Sequence, residues 1–227
     1  MLQVGIIDSG PAADAPAEEQ AAARAFLPDG TMITARSDRL GHGRAVADVV
    51  RRACPEARLL HAQVFDDRPV TSALRVAAAL RWLAGLPEGQ RPALICLSLG
   101  LAADRAPLRA ACEAVLAQGV LLVAAHPAQG AACYPAAYPG VLAATGDARC
   151  AWDQVSRLGP LRFGAWCNAP EHGAVGMGGA SIGCARLAGH LAHLMASGVV
   201  VTDADAAAAA LSARLAFEGP ERRLPHG

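Results

Sequence analysis

Short apolar runs alternate along this chain with longer segments in which apolar residues recur every three or four positions. The strand-like runs cover residues 2–8, 58–64, 92–99, 119–125 and 140–146, and the helical patterns lie near 43–53, 71–85, 104–117, 181–197 and 203–216. Apolar runs of this length predict buried strands, and strands that alternate with helices predict parallel pairing. We therefore expect an α/β fold with a doubly wound, mostly parallel sheet and helices on both of its faces.

The length and composition of the chain predict one domain. A chain of 227 residues with 53% hydrophobic content can bury one substantial core, and no linker or internal repeat divides it. Residues 1–218 are expected to form this domain. Residues 219–227, which are rich in Pro, Arg and Gly, are expected to form a frayed C-terminal tail.

Asp8, His42 and Ser181 each stand at a predicted strand end or helix start. Asp8 ends an apolar run, His42 lies between two glycines before a helical pattern, and Ser181 follows a glycine-rich turn and opens another helix. Each residue alone has an ordinary interpretation, as a turn residue, a solvated imidazole or a helix N-cap. Together, in this order and from different elements, they indicate a serine hydrolase whose groups meet at the carboxyl edge of the sheet.

The order Asp, His, Ser and the three local sequences resemble the subtilisin family of serine peptidases, one of the convergent forms of the catalytic triad. Further segments resemble the family's substrate-pairing strand, its pocket-wall strand, the stretch that follows, and the short segment before the nucleophile loop. These segments are residues 95–100, 119–125, 134–146 and 168–170. The resemblance covers most of residues 1 to 200, and it implies the subtilisin-like version of the expected α/β fold.

The resemblance also implies roles for individual residues. Ser181 would attack the scissile carbonyl, His42 would take and return the proton, and Asp8 would orient the imidazole. Substrate-binding positions carried over in this way are Ser98, Leu99, Gly100, Ala124, Ala125 and Cys133. The segment 98–100 would pair with an extended peptide as an added strand. Cys133 would line the floor of the specificity pocket or be an inert buried thiol.

The predicted oxyanion site departs from the family pattern. Where the family has an Asn that helps to hold the oxyanion, ungapped counting reaches Ala128. Loss of one such donor typically lowers turnover by roughly a hundredfold to a thousandfold. The side chains of His126 and Gln129 are candidate replacements because each can donate a hydrogen bond. The alternative is that the site is only half built.

The expected substrate is a peptide or protein that carries a leader segment. The first strand begins at the second residue, so we expect neither a signal peptide nor a pro-segment, and we expect a cytoplasmic protein. A peptidase without a pro-segment would need narrow specificity, as in leader removal. Among compact members, the chain resembles the leader-trimming proteases of quinohemoprotein amine dehydrogenase small-subunit maturation. Other maturation enzymes are candidate partners.

Charge and residue spacing argue against several other functions. Net charge is zero and no basic block occurs, so we expect no nucleic-acid partner. No apolar run is long enough to span a bilayer, so no membrane partner is expected. The seven cysteines are scattered, and His190 and His193 stand three apart without a third ligand. We therefore expect neither a metal nor a cofactor.

Two other functions use the same residues. In one, the triad is vestigial and the Ser98 strand holds a leader peptide for a partner enzyme. In the other, the triad serves hydrolysis of small esters or acyl transfer, including peptide ligation. Access of water to the site would separate hydrolysis from transfer, and the sequence leaves this open.

Overall fold

The computed structural model describes residues 1–170 and 178–221, and its central feature is a ten-stranded sheet. Its strands are β1 (Gln3–Asp8), β2 (Arg24–Phe26), β3 (Met32–Thr34), β4 (Arg58–Gln63), β5 (Leu94–Leu97), β6 (Leu121–Ala125), β7 (Leu142–Gly146), β8 (Val155–Gly159), β9 (Arg162–Ala165) and β10 (Leu215–Glu218). The helices are α1 (Ala17–Ala22), α2 (His42–Ala53), α3 (Ala73–Ala84), α4 (Ala106–Leu116), α5 (Ala180–Ala196) and α6 (Ala204–Ala210).

The strand order is β10-β8-β9-β7-β6-β5-β1-β4-β2-β3, and most neighbouring strands are parallel. The antiparallel pairs are β2 with β3 and β8 with β9, both outside the centre of the sheet. β1 lies between β4 and β5, so the carboxyl ends of these three strands open at one edge. The predicted mostly parallel α/β architecture is confirmed.

Helices cover both faces of the sheet, and each face has its own hydrophobic core. One core joins β1, β5 and β6 to α2, α5 and α6, and the other joins the same strands to α3 and α4. Ile6 and Ile7 are neighbours in β1 but belong to different cores, because successive side chains of a strand point to opposite faces. The near-continuous apolar character of the central strands follows from this burial on two sides.

The last predicted helix, near 203–216, is wrong at its C-terminal end. α6 ends at Ala210, a 3-10 helix covers Leu211–Arg214, and residues 215–218 form strand β10 parallel to β8. The run of alanines favours helix, but from Leu215 onward the exposure alternates as in a strand. The ring of Phe217 packs beneath the guanidinium of Arg149, a contact that the sequence pattern did not indicate.

The described part of the C-terminal segment is held by one backbone hydrogen bond and one hydrogen bond from a side chain. Gly219 donates its N–H to the carbonyl of Arg157 and accepts from the guanidinium of Arg149, at 2.8 and 2.9 Å. The rest of the predicted tail, residues 222–227, lies outside the described residues. Within the described ranges, no helix combines the length and the apolar character required to cross a bilayer.

Candidate active site

Asp8 is the last residue of β1, and its carboxylate is buried, with 1% of the side chain exposed. Oδ1 accepts hydrogen bonds from the backbone N–H and the hydroxyl of Ser9, at 2.7 and 3.2 Å. The parallel sheet delivers this carboxylate to its carboxyl edge, where catalytic groups of α/β proteins usually collect. The neighbouring residue Ser9 therefore orients the carboxylate independently of its contact with α2.

His42 is the first residue of α2, and its imidazole meets the Asp8 carboxylate. Nδ1 lies 2.7 Å from Oδ1 and 2.8 Å from Oδ2. A carboxylate only accepts hydrogen bonds, so Nδ1 carries the proton, and Nε2 of the neutral ring is left as a proton acceptor. Burial disfavours the charged imidazolium, but the hydrogen bond and charge of Asp8, with a smaller contribution from Asp38, outweigh it and raise the pKa of His42.

The start of α2 is fixed by contacts that place His42 beside β1. The Asp38 carboxylate accepts from the backbone N–H groups of Leu40, Gly41 and Arg44, each at 2.9 Å. The bonds from Leu40 and Gly41 fix the turn before the helix, and the bond from Arg44 satisfies an N–H group of its first turn. Sequence reasoning missed Asp38, although an acid four residues before His42 is a recognisable helix-start signal.

Gly43 lets the first turn of α2 approach the turn after β1. A Cβ at this position would lie 2.5 Å from the carbonyl oxygen of Gly10, which is closer than real contacts allow. The Gly43 N–H donates to the hydroxyl of Ser9 at 2.8 Å, and that hydroxyl donates in turn to Asp8. The glycine after His42 is therefore a steric requirement, and Ser9 links the two elements. Ser9 was also missed by sequence reasoning.

Ser181 is the second residue of α5, after a turn in which Gly179 has a φ of 85°. Its hydroxyl donates to the carbonyl of Ser98 at 3.1 Å, and the Ser98 hydroxyl donates to the carbonyl of Ser181 at 3.1 Å. No hydrogen bond joins Ser181 to His42 within the described residues. Rotation about the Cα–Cβ bond of Ser181 is the smallest movement that redirects this hydroxyl.

Ser181 borders two clefts. The first, which we call the histidine-side cleft, has a volume of about 620 Å³ and also contains His42. Its other lining residues are Leu40, Phe65, Pro69, Val70, Thr71, Ser98, Leu99, Gly100 and Leu101. The second, the alanine-lined cleft, has a volume of about 390 Å³ and is formed by Leu99, Gly100, Ala102, Ala125, Pro127, Ala131, Ala132, Cys133, Ala180 and Ser181. The site is thus a junction of two apolar clefts.

The predicted substrate-binding residues line one cleft, both clefts or neither. Leu99 and Gly100 line both clefts, and Ser98 lines the histidine-side cleft. Ala125 and Cys133 line the alanine-lined cleft, whereas Ala124 is fully buried in the core beneath α3 and α4 and lines neither. The Cys133 thiol donates to the Ala125 carbonyl at 3.3 Å, and burial raises its pKa.

The two predicted oxyanion donors belong to the loop that contributes Pro127 and Ala131 to the alanine-lined cleft. Nδ1 of His126 is 2.5 Å from the carbonyl oxygen of Pro127. Gln129 lines a neighbouring cavity of about 1030 Å³, which shares Pro127 and Ala180 with the alanine-lined cleft. Neither residue lines the histidine-side or the alanine-lined cleft. Their roles as oxyanion donors remain predictions.

Arg186 lies in the middle of α5 and is fully buried. Its guanidinium donates to the backbone carbonyls of Trp166 and Asn168, at 3.2 and 2.8 Å, and packs against the ring of Trp166. It therefore connects the helix that bears Ser181 to the segment 168–170 named in the sequence resemblance. An Arg within an apolar helical pattern is the signal that could have identified it.

His190 is a buried neutral imidazole. Nε2 lies 3.0 Å from the carbonyl oxygen of Trp152, and the two rings are in contact. Burial, with the nearby positive charge of Arg214, lowers the pKa of His190 to about 4. In the described part of the chain no three His, Cys, Asp or Glu residues lie close enough to hold a metal ion, so His190 and His193 form no such group.

Comparison with known proteins identifies the fold. No protein-family model and no curated protein matches the sequence. Among solved structures, the protease domain of PatA is 22% identical with a TM-score of 0.67, over 90% of this chain and 83% of that one. The prenylagaramide maturation protease PagA is 20% identical with a TM-score of 0.66, over 90% and 80%. A cold adapted subtilisin-like serine proteinase is 19% identical with a TM-score of 0.71, over 91% and 80%. The chain therefore has the subtilisin-like fold.

Proposed function

We propose that this chain is a serine endopeptidase in which Ser181 is the nucleophile, His42 the general base and acid, and Asp8 the residue that orients His42. The observation that carries the proposal is the contact of Nδ1 of His42 with both oxygens of a buried carboxylate, in an imidazole that shares a cleft with Ser181. That contact leaves Nε2 as the proton acceptor for a serine hydroxyl. The subtilisin-like fold supports the same assignment.

The first half of the reaction forms an acyl-enzyme. The Ser181 hydroxyl turns from the Ser98 carbonyl toward Nε2 of His42, which takes its proton as the oxygen attacks the peptide carbonyl. The Asp8 carboxylate stabilises the imidazolium that forms. When the tetrahedral intermediate collapses, the carbon–nitrogen bond breaks, and His42 gives the proton to the departing amine.

Water completes the reaction by the same proton transfers. His42 takes a proton from water as the hydroxide attacks the ester carbonyl, and returns it to the Ser181 oxygen when the ester bond breaks. The products are a carboxylic acid and the free enzyme. The raised pKa of His42 makes it a stronger base in both halves than an ordinary histidine.

We propose that the substrate is an extended peptide that pairs with the main chain of the segment 98–100. Leu99 and Gly100 line both clefts, whereas the main-chain N–H and C=O of Leu101 already pair with Tyr134, at 2.7 and 2.9 Å. An extended segment beside the nucleophile suits main-chain pairing with a peptide, as in strand addition. Affinity would come from main-chain hydrogen bonds, and selectivity from the clefts.

The physiological substrate we propose is a precursor polypeptide from which a leader is removed. PagA is named as a maturation protease, and its structure is among those that this chain resembles. The small subunit of quinohemoprotein amine dehydrogenase is the specific precursor that we propose to test first. Enzymes that modify the same precursor are the proposed partners.

The test combines an active-site reagent with candidate precursors. A fluorophosphonate should label the wild-type protein and fail to label Ser181→Ala, and Asp8→Asn should be labelled much more slowly because His42 loses its orienting partner. Incubation with precursor peptides, followed by mass spectrometry, should give two fragments from one bond with the wild type alone. Cleavage that persists in Ser181→Ala would refute the assignment.

One observation favours a second candidate function, a module that binds leader peptides without cutting them. The Ser181 hydroxyl is bonded to the Ser98 carbonyl and not to His42. If this arrangement persisted with a peptide bound, the hydroxyl would not be activated. The wild type would then bind precursor peptides as tightly as Ser181→Ala, and neither protein would react with a fluorophosphonate.

A further inference from the structure

In an extended peptide bound between the two clefts, neighbouring side chains would enter different clefts. Successive side chains of an extended strand alternate, so a peptide along 98–100 sends one side chain to the alanine-lined cleft and the next to the histidine-side cleft. The departing amine must remain near His42, which lines only the histidine-side cleft. The residue that supplies the scissile carbonyl therefore places its side chain in the alanine-lined cleft.

The alanine-lined cleft has no group that could pair with a charge. Its described lining consists of aliphatic residues, Gly100, a serine hydroxyl and the thiol of Cys133. Burial raises the pKa of that thiol, so it stays neutral near pH 7. A charged side chain that entered this cleft would lose part of its hydration without gaining an ionic partner, which disfavours it. The cleft thus selects an uncharged side chain.

The Cys133 sulfur closes one end of this cleft. It donates to the Ala125 carbonyl at 3.3 Å, so it lies against the end of β6. On the other wall, a Cβ on Gly100 would be 3.1 Å from the same sulfur and 3.8 Å from the Ala125 oxygen. The sulfur therefore sits between the two backbone walls and narrows the cleft at this end.

We propose that Cys133 restricts the residue that supplies the scissile carbonyl to a short uncharged side chain, of which alanine is the representative. This inference rests on the proposed peptidase function and names the substrate class for the same site. Removal of the sulfur, in Cys133→Ala, opens the gap between Gly100 and Ala125 to longer aliphatic chains. A larger side chain, in Cys133→Leu, fills the cleft further.

The test is a set of acetyl-tetrapeptide p-nitroanilides that differ only in the last residue, which is Ala, Leu, Phe, Lys or Glu. The wild type should cleave the Ala peptide with a kcat/KM at least about tenfold above that of the others, since a misfit of a few methylene groups is worth that much. In Cys133→Ala, the ratio of Leu to Ala cleavage should rise by about tenfold. Cys133→Leu should lower cleavage of every peptide, including the Ala peptide.

Cys112→Ala is the matched control, because Cys112 is a buried thiol in α4 that lines neither cleft. It should leave the Leu to Ala ratio unchanged. A wild type that prefers Leu, Phe or a charged residue would overturn the inference, and so would an unchanged ratio in a folded Cys133→Ala protein. Fluorophosphonate labelling distinguishes failure of this inference from failure of the proposed peptidase function. Labelled enzyme with another preference refutes only the inference, whereas no labelling and no cleavage refutes the peptidase as well.

Discussion

Replacement of Gly43 by alanine tests whether the close approach of α2 to β1 positions His42. The added Cβ would lie 2.5 Å from the Gly10 carbonyl oxygen and 3.1 Å from the Ser9 hydroxyl oxygen. Real Cβ contacts essentially never fall below 3.0 Å, so the first turn of α2 must move away by at least about 0.5 Å. The backbone carbonyl of Gly10 has little freedom to yield instead.

A shift of that size weakens the contact between His42 and Asp8. The distances of 2.7 and 2.8 Å would lengthen to about 3.2 Å or more, near the limit of a useful hydrogen bond. The pKa of His42 should therefore fall, because the hydrogen bond and charge of Asp8 raise it. A displacement of this order should lower kcat/KM by roughly tenfold to a hundredfold. Overpacking should also cost about 1–3 kcal/mol of unfolding free energy.

Three measurements check this prediction. NMR titration of the His42 ring gives its pKa whether or not the protein is active, peptide cleavage gives kcat/KM, and urea denaturation gives stability. Gly159→Ala is the control. The atom nearest to the added Cβ would lie at 3.5 Å, an ordinary van der Waals contact, and Gly159 is in β8, which four strands separate from β1. If Gly43→Ala kept a raised His42 pKa and lost less than twofold in kcat/KM, the steric argument would be refuted.

Two further predictions concern pH. Because His42 must be neutral to accept a proton, kcat/KM should rise with pH through a pKa above the ordinary histidine value. Asp38→Asn should move the midpoint of this rise to lower pH. An unmoved midpoint in the pH profile would rule out the Asp38 contribution. His190 has a pKa of about 4 in the folded protein and an ordinary value near 6.5 when unfolded, so the unfolded state binds the proton more readily. The free energy of unfolding should fall by about 3 kcal/mol in all as the pH drops from about 6.5 to 4. Urea denaturation of His190→Gln should show a smaller fall over the same range, while the Gln amide retains the hydrogen bond to the Trp152 carbonyl.

The sequence predicted the central elements because each has a strong local signal. β1, β4, β5, β6 and β7 are short apolar runs, and α2 and α5 begin within one residue of the expected positions, next to glycines. β10 could not be predicted, because its partner β8 lies far away in the chain and its own sequence follows a run of alanines. β2 and β3 have three residues each, too few for periodicity to show, and β8 and β9 interrupt their apolar residues with Ser, Arg and Gly.

The candidate site was predictable in its residue types but not in its contacts. The pattern placed Asp8 at a strand end and His42 at a helix start, whereas their contact, at 2.7 Å, depends on how α2 packs against β1. The partner of the Ser181 hydroxyl depends on a single side-chain torsion, which no sequence pattern specifies. The supporting contacts of Asp38 and Arg186 depend on loop geometry and on a buried charge, so they became visible only in three dimensions.

The central position of β1 in the sheet determines which local unfolding events can expose it. β1 is hydrogen bonded to β4 on one side and to β5 on the other, and β5 carries the chain directly to Ser98. Local opening of a protein begins at frayed edges and spreads inward only at higher free energy. Amide protons of β1 should consequently exchange with solvent only through global unfolding, while those of β3 and β10 exchange through small openings. Loss of an edge strand would leave Asp8 in place.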